Sequence, residues 1–409
     1  MIPLSLEEVA RLCPGRLEAI RSAREVTGVE IDSRRIEPGD LFVAVGGGAD
    51  FVQDALARGA AAALLPDDPH AALAALGRAV RDRSSAQVLA ITGSMGKTTT
   101  KDILAAICMP QRRTIAAERS YNAELGVPLT LCRIEPDTEV CILELAMRGF
   151  GQIAALCDIA RPDVGVITNI GPVHLEKVGS LEGVRRAKAE LIAALPPGGL
   201  AIVPADFGVT RDDLTVVRVG RDVELVGFEP PRLVTTAGTT KVNFTARHLA
   251  QNALTAIAAA RALGLDLPAS LEVQFAEWRN QELALAGGGL LINDAWNANP
   301  VSMRAALQHL RERAAGRRTM AVLGEMAELG DYSAEGHAEV ARAIREVGVD
   351  VVVAVGPEAR AYGGTWVATT DEAATLVRQL LRRGDCVLLK GSRKLGLERV
   401  AEALAAVAA

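Results

Sequence analysis

The stretch Ile91–Leu104, ITGSMGKTTTKDIL, sets two glycines, a lysine and three threonines between an apolar run and a helix-like run. Thr92, Gly93, Ser94, Met95 and Gly96 leave room for an anion, and Lys97, Thr98 and Thr99 follow where a helix would begin. A strand-to-helix turn of this kind presents backbone N–H groups and the positive end of a helix dipole. Lys97 would there bridge the β- and γ-phosphates of a nucleoside triphosphate, and the Thr98 hydroxyl would ligate Mg²⁺. The first glycine of the full G-x-x-x-x-G-K-[ST] pattern would fall at Ile91, so only its G-x-x-G-K-T core is present. The alternative is a glycine-rich turn that caps a helix and leaves Lys97 solvated.

Two further positions could use the γ-phosphate. CILELAMRG sets Glu144 near the end of a buried strand, where a carboxylate is costly unless it is paired or bound to a cation. VITNIGPVHLEKVGS sets Asn169 and His174 just past another strand end. Singly, these read equally well as a turn salt bridge and a packed loop histidine. Together with Thr98 they form a plausible cation cluster, since a hard cation prefers oxygen and tolerates a histidine. Lys188, on a helix-like RRAKAELIAAL, is not singled out by periodicity.

These residues must be held by a chain of 409 residues, 49% apolar and 23% charged, long enough for two to four domains. A net charge of −5 argues against nucleic acid as a partner. Aromatics at 3% leave few platforms for stacking bases. The six cysteines have no C-x-x-C spacing and read as reduced, buried thiols. The N-terminus lacks a basic-then-apolar leader, and no run of about eighteen apolar residues occurs, so a cytoplasmic protein without a transmembrane segment is expected.

The expected class is α/β in three domains. Residues 1–85 open with a helix, SLEEVARLC, in which Ser5 and Glu8 would form a capping box. Strand-like GVEIDSRRI and LFVAV follow, then a helix running into a strand in FVQDALARGAAAALL, and RAVRDRSSAQ reads as a polar bridge. Over 86–277, apolar strands alternate with helices, the pattern of a parallel sheet with crossover helices. A long helix, ARHLAQNALTAIAAARALG, closes this part. Over 278–409, LLINDAW, TMAVLG, DVVVAVG and CVLLKGS are each followed by a helical segment, which predicts a second doubly wound, Rossmann-like sheet with ligands beyond its strand ends.

TGSMGKTTTK, SYNAELGVPLTL, VITNIGPVHLEKVGSLEGVRRAKAEL and RHLAQNALTAIAAARALG together resemble the Mur ligase family. NDAWNANPVSM, VLGEMAELG and LLKGSRKLGLERV are most similar to the branch that adds D-alanyl-D-alanine. The resemblance implies an N-terminal UDP-substrate domain, a central ATP domain and a C-terminal ligase domain. It implies phosphorylation by ATP of the terminal carboxylate of UDP-N-acetylmuramoyl-tripeptide, whose third residue is lysine or a diaminopimelate, followed by attack of the D-alanyl-D-alanine amine on the acyl phosphate.

Residue by residue, the resemblance puts Thr98 and Glu144 on one Mg²⁺ and His174 on a second. It makes Lys188 a CO₂-derived carbamate facing metal and sets Asn252 on adenine. It brings Asn122, Asp294, Asn297, Asn299, Ser392 and Arg393 to the nucleotide and substrates, and Ser33 and Arg34 to the UDP moiety. Asn297 and Asn299 read equally as turn formers before Pro300, Arg393 as a loop charge, and Ser33 and Arg34 as an ordinary polar turn. A monomer that waits for closure at hinges near 85 and 277 is expected.

The sequence departs from the family pattern at several places. VGGGADFV is shorter than the usual loop and lacks its histidine, Ala123 and Leu249 stand where asparagines are common, and Trp296 replaces a common tyrosine. The D-N-P-R signature of the ligase that adds the third amino acid is absent, and NANP is present. A P-loop ATPase without ligation would leave Glu144, His174 and the last domain without a task.

Overall fold

The computed structural model describes residues 1–20, 22–118 and 120–408. In the N-terminal part, the strands Gly15–Ala19, Ala62–Pro66, Asp40–Val43 and Gly28–Glu30 lie in that order in one sheet, the first pair antiparallel and the others parallel. The opening helix spans Leu6–Leu12, and Ser5 accepts from the Glu8 N–H at 3.2 Å. Only that half of the expected capping box forms, because the Glu8 carboxylate is drawn to the Arg83 guanidinium.

RAVRDRSSAQ is not the expected bridge. A helix spans Pro69–Arg83, capped by Asp68, with Pro69 in its first turn and Leu73, Leu76 and Val80 buried along one face. Only 84–86 connect it to the next strand. Its Gly77 passes so close to the helix Gly126–Leu131 that an added Cβ would lie 2.9 Å from Pro128 Cα. One apolar core therefore runs from Leu41 and Leu64 through Leu73, Leu76 and Val80 to Val88 and Leu143.

The central sheet is wholly parallel. Its order is Thr215–Val219, Leu200–Pro204, Val164–Ile167, Gln87–Thr92, Val140–Glu144 and Thr114–Ala116. These strands are near-continuous apolar runs because helices cover both faces. Beside them lies a small sheet that the sequence reading did not anticipate, a meander of Leu225–Glu229, Arg232–Thr235 and Gly238–Val242 joined by Ser270–Leu271. The long helix, Arg247–Ala262, gives way to Gly264 at φ +73°.

The C-terminal sheet is mixed. Parallel strands Gly289–Asp294, Cys386–Lys390, Thr319–Gly324, Val351–Val355 and Thr365–Val367 carry one antiparallel edge, Gln281–Leu285. The parallel strands match the Rossmann-like expectation; the edge strand, just past the connector, is an addition to it.

Candidate active site

The strand Gln87–Thr92 hands over to the helix Lys97–Cys108 through a loop that requires its glycines. Gly93 has φ +153°, and a Cβ there would lie 1.9 Å from Thr168 Oγ1; Gly96 has φ +75°, and its Cβ would lie 2.3 Å from Asn252 Oδ1. The neighbouring strand end fixes the loop. Asn169 Oδ1 accepts from the Met95 N–H at 2.9 Å, and Thr168 Oγ1 donates to the Met95 carbonyl at 2.6 Å. Ser94 Oγ donates to Gly171 O at 3.0 Å and accepts from the Gly171 N–H at 2.8 Å. Asn252 Nδ2 donates to Thr99 Oγ1 at 2.7 Å. Ser94 to Thr99 line a cleft of about 850 Å³, whereas Thr92 and Gly93 shape the turn from behind. Lys97 Nζ donates to Gly93 O at 2.8 Å, and burial lowers its pKa.

Thr98 Oγ1 donates at 2.8 Å to Glu144 Oε2, and Asn122 Nδ2 donates at 2.7 Å to Oε1 of the same carboxylate, which is 1% exposed. A hydroxyl in the first turn of a helix and a carboxylate at the neighbouring strand end are hard oxygen donors of the kind Mg²⁺ takes beside substrate phosphates, so this pair fits that cation.

The sequence reading missed Arg279. It is half-buried on the connector into the last domain, and Nη2 donates to Thr98 Oγ1 at 3.2 Å and to Ser120 Oγ at 3.5 Å. Burial lowers its pKa, while Glu144, Asp294 and Asp102 act in the opposite direction. Its neighbours Trp278 and Asn280 both lie at positive φ, +60° and +50°. Two such residues around one arginine mark a backbone held under strain.

His174, itself at φ +54°, lines the cleft with its Nδ1 2.6 Å from Glu328 Oε2 of the C-terminal domain. Burial lowers the His174 pKa, Glu328 opposes this, and Lys97 and Lys188 reinforce it. Lys188 is 2% exposed on the helix Leu181–Ala193 and stands behind the cleft wall, without a hydrogen-bond or ion-pair partner among the described residues. Burial and then Lys97 hold its pKa well below the ordinary lysine value. Among the described residues no three His, Cys, Asp or Glu side chains gather as a ready metal cluster. The expected four-residue set of Thr98, Glu144, His174 and Lys188 is thus a hydroxyl–carboxylate pair with a histidine farther along the cleft and a lysine behind it.

The opposite wall comes from the C-terminal domain. Asp294 takes Lys390 Nζ at 2.5 Å and the Asn280 N–H at 3.2 Å, and Lys390 also reaches the Asn297 carbonyl at 2.9 Å. Asn299 caps the helix Pro300–Ala314 in a capping box with Ser302, which is the turn-forming role weighed from sequence. Arg393 pairs with Glu398 at 2.5 Å and lies over the rings of Trp278 and Trp296, 4.6 and 5.4 Å from their centroids. Those indoles stack at 5.9 Å, and Trp296 also faces Arg279. Ser392, buried at a strand end, lines the cleft.

Ser33 and Arg34 do not line the cleft. Ser33 is buried in a short turn, and exposed Arg34 is folded onto Asp32 at 2.7 Å. Their neighbour Arg35 reaches across instead, to Glu118 at 2.9 Å and the Tyr121 hydroxyl at 3.4 Å, beside Asn122.

The cleft thus joins a phosphate-binding loop, a cation-ready pair and several buried cations to a wall on a second domain. It suits transfer of a phosphoryl group between two anions. Residues 91–260 match the Mur ligase middle domain and residues 278–393 match the Mur ligase, glutamate ligase domain. UDP-N-acetylmuramoyl-tripeptide–D-alanyl-D-alanine ligase of Mycobacterium bovis is 35% identical over 99% of this chain and 98% of its own, and that of Escherichia coli is 32% identical over 99% of each. Among solved structures, MurF from Acinetobacter baumannii superposes with a TM-score of 0.83 at 31% identity over 98% of each chain. MurF ligase from Thermotoga maritima in complex with ADP gives 0.76 at 27% identity, over 92% of this chain and 96% of the other.

Proposed function

The chain belongs to the Mur ligase family, and we infer that it is an ATP-dependent ligase that joins D-alanyl-D-alanine to UDP-N-acetylmuramoyl-tripeptide in peptidoglycan precursor synthesis. The observation that carries this reading is the agreement of nearly the whole chain with UDP-N-acetylmuramoyl-tripeptide–D-alanyl-D-alanine ligases, around a cleft whose loop, Glu144 and Arg279 suit phosphoryl transfer.

The loop N–H groups and Lys97 hold the β- and γ-phosphates, and Asn252 fixes the loop from the adenine side. Thr98 and Glu144 would hold Mg²⁺, which would supply charge neutralisation at the phosphates. Arg279, aimed at the same hydroxyl, stabilises charge that builds as the γ-phosphoryl leaves ADP. The terminal carboxylate of the tripeptide attacks the γ-phosphorus, forming a C–O–P bond as the bond to ADP breaks. The dipeptide amine then attacks the acyl carbon, an amide forms, phosphate leaves and the amine's proton is lost.

Lys188 is the residue suited to carbamate formation. Its depressed pKa favours the neutral amine that reacts with CO₂, and the product would set an anion in the place of that amine, facing His174 and Lys97. The units are 1–85, 86–277 and 278–409, with movement concentrated at the connector near 277. The continuous core through the helix Pro69–Arg83 argues for a stiff junction near 85. The enzyme works on small molecules as a cytoplasmic monomer, one chain supplying every wall of the cleft. No described helix is long and apolar enough to cross a membrane.

The test is isotopic. With the terminal carboxylate of the tripeptide labelled with ¹⁸O, an acyl-phosphate route carries one label into the released phosphate. Unlabelled phosphate would overturn it.

A further inference from the structure

The chamber around the γ-phosphate position is built for anions. Lys97, Arg148, Arg279, Lys390, Arg393 and Lys394 all line the same cleft. That environment suits a phosphate and a carboxylate but repels the second substrate, a dipeptide that arrives with its amine as an ammonium. A carboxylate must offset this repulsion where the amine enters.

Four carboxylates line the cleft: Glu124, Glu144, Asp294 and Glu328. Glu144 is spent on Thr98 and Asn122, and Asp294 on Lys390 and the Asn280 N–H. Glu124 stands exposed on the loop after Asn122. Glu328 differs from all three. It comes from the C-terminal domain, its side chain is 44% exposed, and it reaches His174 at 2.6 Å and Arg148 at 3.5 Å.

Its backbone is held at φ +62°, a left-handed conformation that a side-chain-bearing residue adopts only under constraint. The same loop is pressed onto the loop that carries His174, since a Cβ on Gly330 would lie 3.1 Å from Glu176 Cα. The fold thus holds this carboxylate at the mouth of the cationic chamber.

We propose that Glu328 is the docking carboxylate for the ammonium of the incoming D-alanyl-D-alanine, exchanging its contact with Arg148 for the substrate amine and presenting it beside His174. The assignment rests on the ligase reading above. It assigns Glu328 to the second half-reaction, because Lys97, Thr98, Glu144 and Arg279, which serve ATP, bond to other groups.

The test compares wild type with Glu328→Gln, which keeps the shape and removes the charge, and with Glu328→Asp, which keeps the charge and shortens the reach. Expected for Glu328→Gln is a KM for D-alanyl-D-alanine raised on the order of 10- to 100-fold, with the KM values for ATP and tripeptide unchanged. Glu328→Asp recovers part of the loss. Hydroxylamine, uncharged at neutral pH, should trap the acyl phosphate as hydroxamate equally well with wild type and Glu328→Gln. An unchanged dipeptide KM, or loss of hydroxamate formation in Glu328→Gln, overturns the assignment. A wild-type enzyme that turns over without the dipeptide would instead defeat the ligase reading itself.

Discussion

Arg279 Nη2 lies 3.2 Å from Thr98 Oγ1, so the connector into the last domain touches the first threonine after Lys97. On the ligase reading this contact would join a hinge residue to a nucleotide-binding residue, and movement of the C-terminal domain would carry a guanidinium toward or away from the transferring phosphoryl group.

Arg279→Lys keeps a positive charge but loses the planar guanidinium whose Nη2 reaches both Thr98 and Ser120. We expect kcat to fall on the order of 100-fold or more with the KM for ATP changed by no more than a few-fold, the pattern of a group that acts in the transition state. Steady-state kinetics in ATP decide this, and a rise in KM alone would assign Arg279 to ground-state binding.

Lys188→Ala should abolish ligation, and short carboxylates added to the assay should restore part of it by occupying the space of the lost carbamate. The depressed pKa of Lys188 keeps the amine available to CO₂ at neutral pH. Wild-type protein equilibrated with ¹³C-bicarbonate should therefore show a carbamate carbon resonance that the variant lacks. Full activity in Lys188→Ala would remove the carbamate from the mechanism.

Gly77→Ala tests the junction near residue 85. In an exposed helix this change stabilises by about 1 kcal/mol. Here the new methyl would meet Pro128 Cα at 2.9 Å, and backbone must shift to admit it. A net loss of about 1–3 kcal/mol is expected, read as a lower apparent melting temperature. A stabilised variant would show that the two parts are loosely joined.

His248, in the cleft wall, has its pKa lowered to about 4, chiefly by burial, with His309 and Lys390 reinforcing and Asp294 opposing. The folded state therefore holds this ring neutral where the unfolded chain, near 6.5, takes a proton. Its contribution is intact above about pH 6.5 and is lost as pH falls toward 4, at most about 3 kcal/mol. Unfolding midpoints between pH 7 and 4 should fall less steeply in His248→Gln than in wild type, and parallel slopes would contradict the assignment.

The parts legible in the sequence were those whose residue types leave few physical alternatives. A loop of small residues before Lys-Thr, and a carboxylate ending an apolar strand, announce themselves because bulk and buried charge are costly there. Arg279 did not, since an arginine in EWRNQE has the composition of a solvated turn, and only the fold shows it half-buried. The last turns of the helix Pro69–Arg83, from Arg78 on, read as part of a polar bridge because Arg78, Arg81 and Arg83 dominate them, although Asp68-Pro69 carries a start signal. Asn299 was divided between two roles, and its capping box shows how one side chain serves a turn beside a substrate wall. The meander over 225–242 was missed because its strands are short and half polar, with too few alternations to stand out.

The ligase reading is tested most directly by Mg²⁺-dependent phosphate release from ATP with UDP-N-acetylmuramoyl-tripeptide and D-alanyl-D-alanine, each omitted in turn, and with the product weighed by mass spectrometry. Sustained release that requires both acceptors, together with the mass of the UDP-muramoyl-pentapeptide, is the predicted result. Release indifferent to both acceptors, with no pentapeptide formed, would contradict it.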